Sequence, residues 1–139
     1  MNSSFIKNSI TLEAAKKMID AAEAKAHEMN FAVSITILDE SGIQKAFARM
    51  DGAPLISVKA SYKKAVTAVG FGLSTGDEWY NFIKDDPILH EGAHNFDDFM
   101  LVGGGTAIVD NGIIIGAIGI SGGHYKQDEE CVKAALSVL

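Results

Sequence analysis

The sequence predicts an α/β protein of the α+β kind, an antiparallel five-stranded sheet with long helices packed on one face. Segments of helical and strand period follow one another as α, β, β, α, short α, β, β, β, α, without the strict β/α alternation of a parallel doubly wound sheet. Two strand pairs are joined by turn chemistry, Asp39-Glu40-Ser41-Gly42 and Asn111-Gly112. The length of 139 residues fits one domain, and no polar linker divides it. Residues 1–139 therefore read as a single domain that begins with an N-terminal tail, residues 1–10.

Thr11 is placed to cap the first helix, along which Leu12, Ala15, Ile19, Ala22, Ala26 and Met29 recur at spacings of three and four. This alanine-rich face lets a neighbouring surface come close. Phe31 to Leu38 is rich in β-branched and apolar residues, and Ile43 to Arg49 continues beyond the turn, which predicts a hairpin. Asp51-Gly52-Ala53-Pro54 breaks the chain, and Ile56 to Phe71 returns to helical spacing through Tyr62, Ala65, Val66 and Val69.

Thr75 and Glu78 have capping-box spacing, predicting a short helix through Trp79, Phe82 and Ile83 that Asp85-Asp86-Pro87 ends. Residues 87–98 carry two histidines and no clear period, the character of a ligand loop. Phe99 to Val102, Thr106 to Asp110 and Ile113 to Ile120 read as strands, and residues 125–139 as a closing helix.

Composition narrows the function classes. Hydrophobic residues make up 47% and charged residues 22%, ordinary for a chain that buries a core. A net charge of -6 argues against nucleic acid as a partner, because phosphate binding draws on clustered Lys and Arg. The single cysteine, Cys131, cannot form an internal disulfide and reads as a reduced, packed thiol. The opening residues lack signal-peptide character and no stretch reaches transmembrane length, so the expected compartment is the cytoplasm, with no membrane partner.

Several motifs could carry chemistry. His90-Glu91-Gly92-Ala93-His94 matches HExxH, in which a helix presents two histidines to zinc and a glutamate activates water. Pro87 and Gly92 weaken such a helix and no third histidine follows, so zinc or another metal at His90 and His94 is the weaker reading. Gly103-Gly104-Gly105 lies between two strands, the wrong context for a nucleotide loop. Its glycines either bring backbone amides to an anionic ligand or permit a tight turn.

Ser121-Gly122-Gly123-His124 instead joins a strand to a helix, whose N-terminus favours a carboxylate or phosphate. There His124 offers a proton donor or metal ligand, or simply starts the helix, with Asp128 and Glu129 complementing the dipole. Arg49 and Lys64 are candidate cations for a ligand carboxylate, and Arg49 is alternatively paired with Asp51.

Together, ITILDESG, AFARMDGAP, KKAVTAVGF, LVGGGTAIVDNGIIIGAIGISGG and QDEECVKAAL resemble, in order and spacing, the GlcG/HbpS family, which includes C-terminal PduO-like domains. The resemblance runs from Thr11 onward. It implies a profilin-like fold, homo-oligomers up to octamers, and haem or a related ligand as cofactor. It supplies no single invariant iron ligand, so His27, His90, His94 and His124 are candidates on side-chain chemistry alone. Two departures stand out. GGGTAI replaces the commoner GGGxPI, losing a proline that stiffens the turn, and His124 stands where Thr or Ser is frequent.

The leading expectation is an oligomeric small-molecule-binding protein that holds haem in a cleft of the GGG loop, the SGG turn and the His90 loop. Phe71, Trp79 or Phe96 would face the macrocycle, Arg49 or Lys64 the propionates, and a histidine the iron. Two alternatives stay open. One is an enzyme acting on a small oxygenated acid with His124 or His90 as general acid/base. The other is a structural or chaperone-like oligomer assembled through the alanine face of the first helix.

Overall fold

Local capping and turn chemistry set most element boundaries. The computed structural model describes residues 1–139. The chain runs α1 (Leu12–Glu28), β1 (Ser34–Asp39), β2 (Gln44–Arg49), α2 (Ile56–Phe71), α3 (Asp77–Ile83), α4 (Pro87–Gly92), a 3-10 turn (Ala93–Asn95), β3 (Gly105–Asp110), β4 (Ile113–Ser121) and α5 (Tyr125–Leu136). Thr11 Oγ1 accepts the Ala14 amide at 3.1 Å and starts α1 as the sequence predicts. Asn111 and Gly112 take φ of 50° and 79°, the left-handed pair that a two-residue hairpin between β3 and β4 requires. The Asp39 carboxylate closes the first hairpin by accepting the amides of Ser41 and Ile43.

Four antiparallel strands form the sheet, in the order β2-β1-β4-β3, not the five expected. Residues 99–102 are irregular, because other elements take their backbone groups. The Met100 amide donates to Thr67 Oγ1 on α2 at 2.9 Å, and the Leu101 carbonyl accepts the Gly76 amide at 2.6 Å. The Phe99 ring lies edge-on to Trp79 at 5.1 Å. A segment anchored this way has no ladder left to form.

The expected one-sided packing is also corrected. α2 contacts β1, β3 and β4 on one face, while α1 and α5 pack together over the other. Alternation along β1 shows why both faces are covered. Ile35 and Ile37 enter the main core with Met18, Ile118, Ile120 and Cys131, whereas Ser34 and Thr36 each meet an α2 hydroxyl, Ser57 and Ser61, at 2.8 Å. The α2 face therefore buries small and polar residues, Ser57, Ala60, Ser61, Lys64, Ala65 and Ala68. Of the apolar positions predicted along α2, Ala65 is fully buried and Val66 and Val69 pack against the same small cluster, whereas Tyr62 is exposed. Ala15, Ala22 and Ala26 of α1 are fully buried in the chain's own core, so the alanine face is not available for assembly.

Two further expectations change. The Thr75–Glu78 capping box does not form; Gly76 begins α3 without a side-chain cap, and Thr75 Oγ1 instead accepts the Gly105 amide at 2.8 Å. Residues 87–95, expected to be irregular, are helical, because the Asp86 carboxylate accepts the amides of Ile88 and Leu89, both at 3.1 Å, and Pro87 pre-sets the first turn. No helix is long and apolar enough to cross a membrane.

Candidate small-ligand cleft

The SGG turn and α5 N-terminus already hold an anion, and it comes from the chain itself. Asp128 is 1% exposed, and its Oδ1 accepts the Gly123 amide at 3.0 Å. Its Oδ2 accepts from Lys64 Nζ at 3.0 Å, and the same ammonium donates to the Ile120 carbonyl at 2.9 Å. Burial pushes the Asp128 carboxyl up and the Lys64 ammonium down, against their mutual attraction. Lys64, expected to meet a ligand carboxylate, is thus committed inside the fold, and Asp128 does more than complement a helix dipole.

His124 caps α5. Its Nδ1 accepts the Lys126 amide at 3.1 Å, while its own amide donates to Gln127 Oε1 at 3.0 Å. An Nδ1 that accepts leaves the ring proton on Nε2, so the capped imidazole presents a donor rather than a lone pair outward. This geometry suits helix initiation and disfavours iron ligation or general-base work by Nε2. His124→Ala should cost about 1 kcal/mol in urea unfolding, and His124→Asn should keep most of it. Equal stability of all three chains would contradict the capping role.

The three glycines of the GGG turn serve close packing. A Cβ on Gly103 would lie 2.9 Å from Glu129 Oε2 and 3.0 Å from the Tyr125 ring, and one on Gly104 would lie 3.0 Å from Lys64 Nζ. A Cβ on Gly105 would overlap the Lys64 carbonyl. Gly104 also has φ +119°, which L side chains rarely adopt. Gly122 and Gly123 are equally tight, against Ala32 and Phe31. Ser121, the last residue of β4, is buried at the sheet end.

Beside this scaffold opens a half-open cleft of about 420 Å³, lined by Gly76, Asp77, Tyr80, Leu101, Val102, Gly103 and Tyr125. Its walls are mainly apolar, a size and character suited to a small molecule. Lys126 stands beside it, 3.1 Å from Asp77 Oδ2 and 5.3 Å from the Tyr125 ring centre. The His124 ring stacks on Tyr125 at 4.4 Å.

The remaining candidates lie elsewhere. Arg49 is exposed and makes no ion pair, with Asp51 or any other acid. His90 and His94 are exposed, and the helix carrying them changes to a 3-10 turn at Ala93. No three His, Cys, Asp or Glu side chains gather where they could hold a metal ion. His27 faces Glu23 at 3.6 Å on the solvent side of α1. Phe71, Trp79 and Phe96, the aromatics expected to face a macrocycle, pack edge-on around Phe71, and none of them lines the cleft. Cys131 is a buried free thiol, as expected, and burial pushes it up to about 11.

The family model described as haem-degrading protein HbpS-like matches residues 10–137. The chain belongs to the HbpS-like family. Among its relatives, an uncharacterized 15.0 kDa protein from the dhaT-dhaS intergenic region of Citrobacter freundii is 37% identical, over 98% of this chain and 96% of the relative. GlcG of Escherichia coli K12 is 33% identical over 94% of each chain. The crystal structure of a PduOC haem complex superposes with a TM-score of 0.86 at 28% identity, covering 94% of this chain and 95% of the other.

In this HbpS-like chain, Gly103 is the one predicted site residue that lines the candidate cleft, and Asp77, Tyr80, Leu101, Val102 and Tyr125 line it without having been predicted. Leu101 and Val102 looked like strand interior, and Tyr125 like the first residue of a helix. The GGG and SGG turns gave a usable signal, because Leu101 and Val102 precede the first and Tyr125 follows the second.

Proposed function

We propose that this protein binds a small planar ligand, haem or a related tetrapyrrole, in the cleft between α3, the 101–103 segment and Tyr125. The cleft itself carries the reading: two tyrosines, Leu101 and Val102 supply aromatic and aliphatic surface for a macrocycle, and Gly103 completes the wall beside them. The haem complex of the PduOC relative supports haem as the ligand class. Bound haem would supply an iron centre, and this chain would supply apolar contact and partial exclusion of water. Lys126, which contacts the lining residues Asp77 and Tyr125, would take the propionate-facing role first assigned to Arg49 or Lys64.

Purified protein titrated with haemin should develop a Soret shift that saturates at one haem per chain. Val102→Trp fills the cleft from a half-exposed position and should weaken binding about tenfold or more with folding unchanged. Equal binding by this variant, or no shift in the natural chain at stoichiometric haemin, would refute the reading.

Self-assembly belongs to the same proposal. Leu55 and Ile56, at 83% and 67% exposure, stand near exposed Phe47, Val58 and Tyr62 along β2 and α2, an apolar surface suited to a homo-oligomer up to an octamer. Sedimentation should detect it, and Leu55→Glu should reduce it.

A further inference from the structure

We infer that Tyr125, rather than a histidine, is the iron donor of this cleft. The inference rests on the reading that haem occupies the cleft, and it names the atom that would hold the metal. Side chains with donor atoms along the cleft are Asp77, Tyr80 and Tyr125; no histidine lines it. Asp77 is engaged by Lys126 at 3.1 Å. His124, the nearest imidazole in sequence, has its Nδ1 committed to the α5 cap and a proton on Nε2, so ligation through Nε2 requires loss of the cap or of that proton.

The two phenols differ in how firmly they are held. Tyr80 is 48% exposed on the short helix α3. Tyr125 is partly buried, with one ring edge against Gly103 and one face on the His124 ring. The Lys126 ammonium lies 5.3 Å from its ring centre, with Asp77 at 3.1 Å and Glu129 at 3.7 Å as its partners. Phenolate is an established class of axial donor to ferric haem. Coordination replaces water or hydroxide on the ferric iron by Tyr125 Oη, and the phenolic proton leaves to solvent, with no change of iron oxidation state.

The test is spectroscopic and uses the full chain. The natural protein loaded with ferric haemin should give a high-spin ferric signal and a phenolate-to-iron charge-transfer band. Tyr125→Phe should lose the band while binding iron-free protoporphyrin within about twofold of the natural chain. Tyr125→His should fold, bind haemin and change the spectrum to an imidazole type. Tyr80→Phe, and the combined change of His27, His90, His94 and His124 to Asn, should leave the band in place. Loss of the band in Tyr80→Phe or in the histidine variant, with Tyr125→Phe unchanged, overturns the assignment. Absence of binding for both haemin and protoporphyrin overturns the haem reading and this inference with it. Protoporphyrin binding with an imidazole-type haemin spectrum overturns the donor assignment alone.

Discussion

Lys64→Met should destabilise the protein by about 3–5 kcal/mol, the largest single-residue effect expected outside the hydrophobic core. The substitution roughly keeps the volume of the lysine stem but leaves Asp128 1% exposed with no opposing charge. It also removes the donor to the Ile120 carbonyl. Burial raises the Asp128 carboxyl and lowers the Lys64 ammonium, so desolvation outweighs their attraction for both groups. Damage from the single change therefore comes mainly from the stranded partner.

That account predicts partial rescue. The double variant Lys64→Met/Asp128→Asn keeps an acceptor for the Gly123 amide and removes the charge, and should recover about half or more of the loss. The pH dependence follows from the raised carboxyl. A group whose folded pKa lies above its unfolded value contributes stability at low pH and loses it as pH rises through the folded value. In Lys64→Met the unpaired Asp128 lies further in this direction, so the deficit against the natural chain should narrow as pH falls toward the carboxylate range. Urea midpoints at matched m-values measure both effects. A deficit that widens on acidification, or a double variant as unstable as the single one, would exclude this origin.

Gly105→Ala should cost about 1–3 kcal/mol or more, whereas Gly92→Ala should be neutral or stabilising by up to about 1 kcal/mol. Gly105 and Gly119 are register partners on β3 and β4, and together they form a flat place on the sheet. The α2 backbone rests there: a Cβ on Gly105 would overlap the Lys64 carbonyl, and one on Gly119 the Ser61 carbonyl. Neither obstacle is the far end of a flexible side chain, so relief requires moving the helix. Gly92, at the end of α4, has no atom within 4 Å of its absent Cβ. Thermal and urea unfolding of both variants separates a packing role from simple turn flexibility. Equal stabilities would remove the packing explanation for the last glycine of the triplet.

The two cases show what was legible in the sequence. The glycines, the helices that flank them and the NG hairpin were all visible, because a turn needing positive φ, a cap and an apolar period are encoded within a few residues. Thr11, Asn111-Gly112 and the span 56–71 act in the structure as their local pattern predicts. Lys64 was visible only as a cation. Its partner lies 64 residues away, and no local pattern separates a buried lysine from a ligand-facing one.

By itself, then, the sequence determined the three long helices, the four strands that form, the two hairpins, the family and the small-residue turns, all of which depend on short-range geometry and order along the chain, while the helical turns of residues 87–95 went unread. Tertiary structure alone decided that residues 99–102 leave the sheet, that helices cover both of its faces, that α2 buries serines and a lysine, and that Leu101, Val102 and Tyr125 meet in one cleft. These outcomes depend on which distant surfaces come together and on where each buried polar group finds a partner. Burial of Lys64 is tolerable only because Asp128 and the Ile120 carbonyl converge on the same point in space.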